Sequence, residues 1–206
     1  MPYIVIEGMD GCGKSTQVQL LAKRLEEELG ADKVMVTREP GGTPIAEAIR
    51  DILKGKLGPV TKESEILLMA ASRAELKVQI EQALKEGKWV ISDRNYVSSY
   101  AYQGFGHFMR DAVIAIHEEL DLIIKPDYFF LLEVSDDVRN ARITARDTTD
   151  PIEGRDYKYF ERVAAGYQST YVPTKIHESV IDADQSADKV HEDIWFWIDV
   201  LPRVEY

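Results

Sequence analysis

The chain has 206 residues, of which 45% are hydrophobic and 30% charged, so composition favours one globular domain over residues 1–206 and argues against disorder. Lys and Arg number 25 against 36 Asp and Glu, and the net charge of −11 argues against nucleic-acid and anionic-membrane partners. The single cysteine excludes an intramolecular disulfide framework. Neither a leader peptide nor an apolar run of about 18 residues is visible, so we expect a cytoplasmic protein.

Short apolar runs alternate with amphipathic segments from end to end, an order typical of α/β folds. The apolar runs predict strands at residues 3–7, 34–37, 89–93, 128–132 and 179–182. Periodicity and capping residues predict helices that end at Gly30, start at Thr43, span 61–86 and 108–120, start at Ser135, precede the fifth strand, and start at Ser186. The predicted fold is therefore α/β, a five-stranded parallel sheet with helices on both faces and a ligand site at the carboxyl ends of the strands.

The helix that begins at Thr43 and Pro44 has an N-cap residue followed by proline at the first helical position. Its apolar residues Ile45, Ile49 and Ile52 are expected to face the core.

A phosphate-binding loop is predicted between the first strand and the first helix, where residues 8–15 (GMDGCGKS) match G-x-x-x-x-G-K-[ST]. Its glycines allow backbone N–H groups to surround a polyphosphate, Lys14 can reach the β and γ oxygens, and Ser15 offers a hydroxyl to Mg²⁺. The predicted nucleotide-binding residues are Gly8, Met9, Asp10, Gly11, Cys12, Gly13, Lys14, Ser15 and Thr16.

Arginines near predicted strand ends distinguish among proteins that share this loop. The sequence has no Asn-Lys-x-Asp motif, which a GTPase needs to read guanine. Arg38 follows the second strand, Arg73 lies in the long helix and Arg94 follows the third strand. In a chain of net negative charge, this placement indicates a second anionic group facing the γ-phosphate.

Several motifs together resemble the thymidylate kinase family. They are residues 7–10 (EGMD), 37–43 (TREPGGT), 67–73 (LLMAASR), 93–94 (DR) with 98–104 (SSYAYQG), and 166–167 (GY). The resemblance covers nearly the full length and implies a P-loop nucleoside monophosphate kinase that uses ATP to phosphorylate dTMP to dTDP. It also implies a homodimer.

The resemblance implies a role for each matching residue. The residues expected to bind dTMP are Asp10, Arg38, Met69, Arg73, Arg94, Ser98, Ser99, Tyr102, Gln103 and Tyr167. Among them, Arg38 and Arg94 would hold the acceptor phosphate, and Arg73 and Gln103 would read the thymine edge. Tyr167 would crowd the place of a 2′-hydroxyl. Ser15 and Asp93 would hold Mg²⁺, and Lys14 would act in catalysis with the two phosphate-binding arginines.

Residues 146–156 resemble the family's lid, and a mobile lid is expected there because the segment is polar. The P-loop carries Gly11 and Cys12 where one branch of the family has a basic residue, so the chain resembles the branch whose lid supplies the catalytic arginine. Pro151 occupies the expected arginine position, and Arg155 and Arg146 are the candidates to replace it.

Two other functions stay open at this point. Another nucleotide kinase or a deoxynucleoside kinase would share the P-loop, and for a neutral hydroxyl acceptor Glu7 or Glu39 could serve as the base. A non-catalytic ATP-binding regulator would keep the P-loop without needing the acceptor arginines.

Overall fold

The central element is a parallel sheet. In the computed structural model, which describes residues 1–145, 154–169 and 177–200, five strands are arranged in the order β2-β3-β1-β4-β5. They are β1 (Tyr3–Glu7), β2 (Val34–Arg38), β3 (Trp89–Asp93), β4 (Tyr128–Glu133) and β5 (His177–Asp182). The predicted five-stranded parallel α/β fold is confirmed, with strand ends displaced by at most two residues.

Helices connect the strands. They are α1 (Lys14–Leu29), α2 (Pro44–Leu53), α3 (Lys62–Lys85), α4 (Tyr96–Ser99), α5 (Arg110–Glu119), α6 (Asp136–Thr144), α7 (Tyr157–Ser169) and α8 (Ala187–Val200). A 3₁₀ turn (Ala31–Lys33) follows α1, and a π-helical segment (Tyr100–Gly106) continues α4. Among the described residues no helix is long and apolar enough to cross a bilayer.

The core lies on both faces of the sheet because successive strand residues point in opposite directions. Ile4 and Ile6 of the central strand β1 pack into the cluster that includes Leu21 of α1. Tyr3 and Val5 point the other way, into the cluster formed with α3 and α7. A strand buried on both faces must be apolar along its length, which explains the uninterrupted apolar run at 3–6.

Helix α2 starts as predicted but buries a different face. The Thr43 side chain accepts a hydrogen bond from Ala46 N at 3.1 Å, which confirms the N-cap. Ala46, Ile49 and Leu53 are buried, whereas Ile45 is 56% exposed, so the expectation that Ile45 faces the core is wrong. Positions 45 and 46 differ by about 100° around the helix, and the face that α3 covers runs through the smaller residue.

The strand order brings three loops together at one edge of the sheet. Strand β1 lies between β3 and β4. Asp93, the last residue of β3, is in register with Ile6 of β1 on one side and with Arg38 of β2 on the other. Loop hydrogen bonds extend this pairing, from Arg94 N to Ile6 O at 3.0 Å and from Glu39 N to Asp93 O at 2.9 Å. The P-loop and the segments after β2 and β3 therefore share one edge.

Candidate active site

The P-loop joins β1 to α1 and requires glycine at both ends. Gly8 has a φ of 141°, and an added Cβ would lie 2.5 Å from Leu132 O. Gly13, the residue before α1, has a φ of 100°, and apart from Gly13 itself and its chain neighbours no described atom outside α1 lies within 4 Å of an added Cβ. The first N–H groups of α1 therefore border a space that phosphate oxygens can enter.

Lys14 lies folded over the P-loop. Its Nζ donates to Met9 O at 2.9 Å and approaches Cys12 Sγ at 3.7 Å, and the residue is only 6% exposed. The Lys14 ammonium group thus donates to a backbone carbonyl oxygen, whereas the motif predicts that it donates to phosphate oxygens.

Ser15 and Asp93 meet at the same edge. Ser15 Oγ donates to Asp93 Oδ2 at 2.6 Å, so the hydroxyl and carboxylate predicted for the metal are adjacent. Oxygen donors of this kind suit Mg²⁺, which is usually held by one or two protein groups together with water and substrate phosphates. Within the described residues no group of three or more His, Cys, Asp and Glu side chains could hold a metal ion by itself.

Glu7 ends β1 and is a fully buried carboxylate with many donors. It accepts hydrogen bonds from Asn95 N at 2.9 Å, Ser98 N at 3.1 Å and Ser98 Oγ at 2.8 Å. Tyr167 OH donates to it at 2.9 Å. These bonds hold the segment after β3 against β1, and they leave Glu7 little capacity to accept a proton from a substrate hydroxyl.

Arg94 links four of the predicted dTMP-binding residues. Its guanidinium contacts Asp10 Oδ1 at 2.6 Å, Ser98 Oγ at 2.7 Å, Tyr167 OH at 3.0 Å and Tyr102 OH at 3.4 Å. Burial would raise the pKa of Asp10, but Arg94 and Lys14 outweigh it and hold that pKa well below its usual range. Asp10 is therefore ionised and can accept a hydrogen bond from a sugar hydroxyl.

Arg94, Asp10, Ser98 and Tyr102 border one cavity, whose lining does not include Tyr167. Its lining includes six side chains predicted to bind dTMP, namely Asp10, Met69, Arg94, Ser98, Tyr102 and Gln103. Arg38 is not among the lining residues. Its side chain is 52% exposed and pairs with Glu47 at 2.8 Å, so its role at the phosphate stays a prediction.

Arg73 lies beneath the cavity and does not line it. Its Nε contacts Glu39 Oε2 at 2.6 Å, and its other nitrogens donate to Ser99 Oγ and Asn95 O, both at 3.1 Å. The structure therefore places Ser99 and Arg73 together beneath the cavity. The contact of Arg73 with thymine and the place of Ser99 near the ligand stay predictions. Glu39, the second candidate base, is buried in this ion pair.

His117 supports Arg73 from below. Its Nδ1 donates to Val113 O at 2.7 Å, so Nε2 carries the lone pair that accepts from Arg73 NH1. Burial, followed by the charge of Arg73, lowers the pKa of His117 from 6.5 to about 4.

The low pKa of His117 predicts a loss of stability in acid. As the pH falls, the unfolded chain takes up this proton before the folded chain does. The contribution of neutral His117 to the free energy of unfolding should therefore be fully present above pH 6.5 and decrease as the pH drops towards about 4. His117→Gln keeps an acceptor for Arg73 without a titrating ring, so its melting temperature should decrease less than that of the wild type between pH 7 and pH 4.5. Equal decreases in thermal melts of the two proteins would contradict this assignment.

Comparisons with known proteins show which family the chain is similar to. A family model described as Thymidylate kinase matches residues 6–194. The chain is 40% identical to a thymidylate kinase of Shewanella sp. (strain ANA-3) over 198 residues, which cover 93% of this chain and 92% of that protein. It is 39% identical to one from Exiguobacterium sp. (strain ATCC BAA-1283 / AT1b), with 93% and 91% covered. A crystal structure of thymidylate kinase from Ehrlichia chaffeensis superposes with a TM-score of 0.72 at 30% identity, covering 96% of this chain and 98% of that one.

The chain belongs to the thymidylate kinase family. The predicted family, the P-loop kinase fold and the class of ATP-dependent nucleoside monophosphate kinase are thereby confirmed. ATP is the phosphate donor of this class, as predicted.

Of the two arginines proposed to replace the lid arginine, only Arg155 lies within the described residues. Its guanidinium donates short hydrogen bonds to the Glu65 carboxylate and to Tyr159 OH. The role of Arg155 at the γ-phosphate stays a prediction. Arg146 and Pro151 lie outside the described residues, as does most of the expected lid.

Glu65 and the central place of Glu7 in the site were not predicted from the sequence. Glu65 also lines the cavity, together with Arg50 and Lys54. One signal was present in each case: Glu7 closes a buried apolar strand, and Glu65 precedes the apolar residues of α3. A carboxylate at such a position needs buried donors.

Proposed function

We propose that the enzyme transfers the γ-phosphoryl group of MgATP to dTMP, giving dTDP and ADP. The observation that carries this proposal is one cavity in which Asp10, Arg94, Tyr102 and Gln103 converge beside the P-loop. Asp10 accepts from the deoxyribose 3′-hydroxyl, Arg94 binds the acceptor phosphate, and Met69 packs against the base as a soft apolar surface. Arg38, which pairs with Glu47 outside the cavity lining, would supply a second guanidinium to the acceptor phosphate.

The reaction needs charge neutralisation more than it needs a base. A phosphate monoester has a second pKa near 6, so the attacking oxygen is already largely anionic at neutral pH. Two carboxylates near the site, Glu7 and Glu39, are engaged by buried donors, which agrees with a reaction that uses neither as a base. Lys14, Arg38 and Arg94 supply positive charge and hold the two anions in line.

Ser15 and Asp93 are the side chains that would hold Mg²⁺. When bound, the ion neutralises charge on the β and γ oxygens. Asp93 also anchors the start of the segment that carries Arg94, so the metal side and the acceptor side of the site share one loop.

Tyr167 is proposed to select deoxyribose. Its hydroxyl donates to Glu7 at 2.9 Å, and its ring packs edge-on against Tyr102 with centroids 6.3 Å apart. A ring fixed from both sides cannot move aside for a 2′-hydroxyl without breaking these contacts.

A coupled assay of ADP release tests the proposed function. The acceptors are dTMP, dUMP, UMP, CMP, AMP and thymidine, each at saturating MgATP. Release with dTMP at the highest kcat/KM supports the proposal. The highest value with thymidine would indicate a deoxynucleoside kinase, and the highest value with CMP or AMP another nucleotide kinase. No release with any acceptor would indicate a regulator.

We also propose a homodimer that acts in the cytoplasm, where the one free cysteine, Cys12, fits a reducing compartment. Helix α3 supports the dimer, because exposed Leu67, Ala71, Ala74 and Val78 recur at i, i+4, i+7 and i+11 and form one apolar stripe.

The stripe predicts that Leu67→Glu yields monomers. Sedimentation velocity should give the mass of a dimer for the wild type and of a single chain for the variant. Phe196→Glu is the control, since Phe196 is 54% exposed against 60% for Leu67 but lies on α8. Dimers of Leu67→Glu would place the interface elsewhere.

A further inference from the structure

Glu65 is a buried carboxylate for which the reaction described above has no use. It lies on α3, is only 3% exposed, and lines the cavity beside Met69 and Gln103. Its Oε1 accepts from Gln103 Nε2 at 2.7 Å, and its Oε2 contacts His107 Nε2 at 3.3 Å and the guanidinium of Arg155. Three donors therefore converge on one carboxylate, two from the π-helical segment and its C-cap and one from the residues that precede α7.

These donors keep Glu65 ionised. Burial by itself would raise its pKa, but the hydrogen bonds from His107, Arg155 and Gln103 and the charge of Arg155 outweigh burial and hold the pKa at about 2. At any pH at which the enzyme works, Glu65 is thus a pure hydrogen-bond acceptor.

A pure acceptor fixes the orientation of the Gln103 amide. If the amide were rotated by 180°, two oxygens would face each other, so Gln103 must turn its NH₂ group towards Glu65. Its carbonyl oxygen then has no hydrogen-bond partner within the described part of the chain, although the residue is only 1% exposed. A buried acceptor without a donor is costly, and it favours a ligand that brings one.

Thymine in dTMP has a single N–H donor, at N3, whereas cytosine has an acceptor at that position. We propose that Glu65 is a positioning residue for nucleobase selection: it holds the Gln103 carbonyl oxygen towards the base, where it accepts from thymine N3–H and repels cytosine N3. This inference rests on the proposed function, because it takes dTMP as the occupant of the cavity.

The test compares Glu65→Gln with the wild type in kcat/KM for dTMP, dUMP and dCMP. A glutamine at 65 can donate as well as accept, so the Gln103 amide is free to rotate and to offer its NH₂ group to cytosine. The dTMP to dCMP ratio should fall about 10-fold or more, and the dUMP to dCMP ratio should fall with it, because uracil has the same N3–H. For dTMP the change should lie in KM, with kcat altered by no more than a few-fold.

Glu75→Gln is the matched control, since Glu75 is an exposed glutamate on the same helix. It should keep the wild-type ratios. A Glu65→Gln enzyme that retains dTMP activity with an unchanged dTMP to dCMP ratio would overturn the inference.

Two further variants separate positioning from folding. Glu65→Asp keeps the buried charge for Arg155 but is one methylene too short to reach Gln103, so it should also lose selectivity, and it serves if Glu65→Gln does not fold. In the exchanged pair Glu65→Gln/Gln103→Glu, one carboxylate oxygen accepts from the new amide and the other faces the base. Selectivity for dTMP should therefore recover at least partly, whereas a merely structural role for Glu65 predicts no recovery.

Failure of this inference and failure of the proposed function give different results. A wild-type enzyme that releases no ADP with dTMP contradicts the proposed function. A wild-type enzyme that prefers dTMP, together with Glu65→Gln and Glu65→Asp variants that prefer it equally, contradicts the inference alone.

Discussion

Lys14→Ala is expected to lower kcat for dTMP phosphorylation at least about 10²–10³-fold, the usual effect of removing one preorganised donor to charge that develops in a transition state. Lys14 lies at the start of α1, and its ammonium group folds back over the P-loop to Met9 O at 2.9 Å. Bound polyphosphate offers oxygens of much higher negative charge than this carbonyl, so the ammonium group should transfer to them.

The measurement is ADP release at saturating ATP and dTMP. Lys23→Ala provides the control, because Lys23 lies on the same helix and its ion pair with Glu27, at 3.9 Å, is exposed. It should keep wild-type turnover. A Lys14→Ala enzyme with near-normal kcat would show that the loop does not hold the transferred phosphoryl group.

The parts of the fold that could be predicted from the sequence depend on local signals. Thr43 and Thr61 each accept from a backbone N–H three residues on, so both helix starts follow from the residue type at the cap. The helical stretch Tyr96–Gly106 was missed, because it mixes aromatic and polar residues with two glycines and has no apolar periodicity. Its geometry is set by distant partners, among them Glu7, which accepts from Ser98 across 91 positions of the chain.

The residues of the candidate site also differ in whether local sequence alone could predict their roles. The P-loop could be predicted because its whole chemistry lies within eight consecutive residues. The role of Glu65 could not, because its donors Gln103 and Arg155 are 38 and 90 residues away and no spacing rule connects them. For Arg155 the sequence position indicates a lid residue, whereas in the structure its side chain pairs with Glu65 of α3. Arg73 likewise matches a base-reading motif but is committed to Glu39.

Arg94→Met is expected to reduce both stability and activity, which distinguishes it from the other predicted phosphate-binding arginine. Removing one partner of a buried ion pair costs about 3–5 kcal/mol, and the partial exposure of Asp10 places this case near 3 kcal/mol. For a chain of this length that corresponds to a melting temperature roughly 6–12 °C lower. The pair Asp10 and Glu7 would both lose the cation that lies 2.6 Å from one and 3.6 Å from the other.

Arg38→Met is the matched comparison, because Arg38 pairs with Glu47 in an exposed ion pair that contributes only about 0–1 kcal/mol. Its melting temperature should stay within about 4 °C of the wild type, while kcat/KM for dTMP falls if Arg38 binds the acceptor phosphate. Thermal melts and ADP release on both variants separate the two roles. If Arg94→Met melts like the wild type, the buried carboxylates do not need Arg94 for stability, and the role of Arg94 would be catalytic alone. If Arg38→Met retains full kcat/KM, Arg94 holds the acceptor phosphate without Arg38.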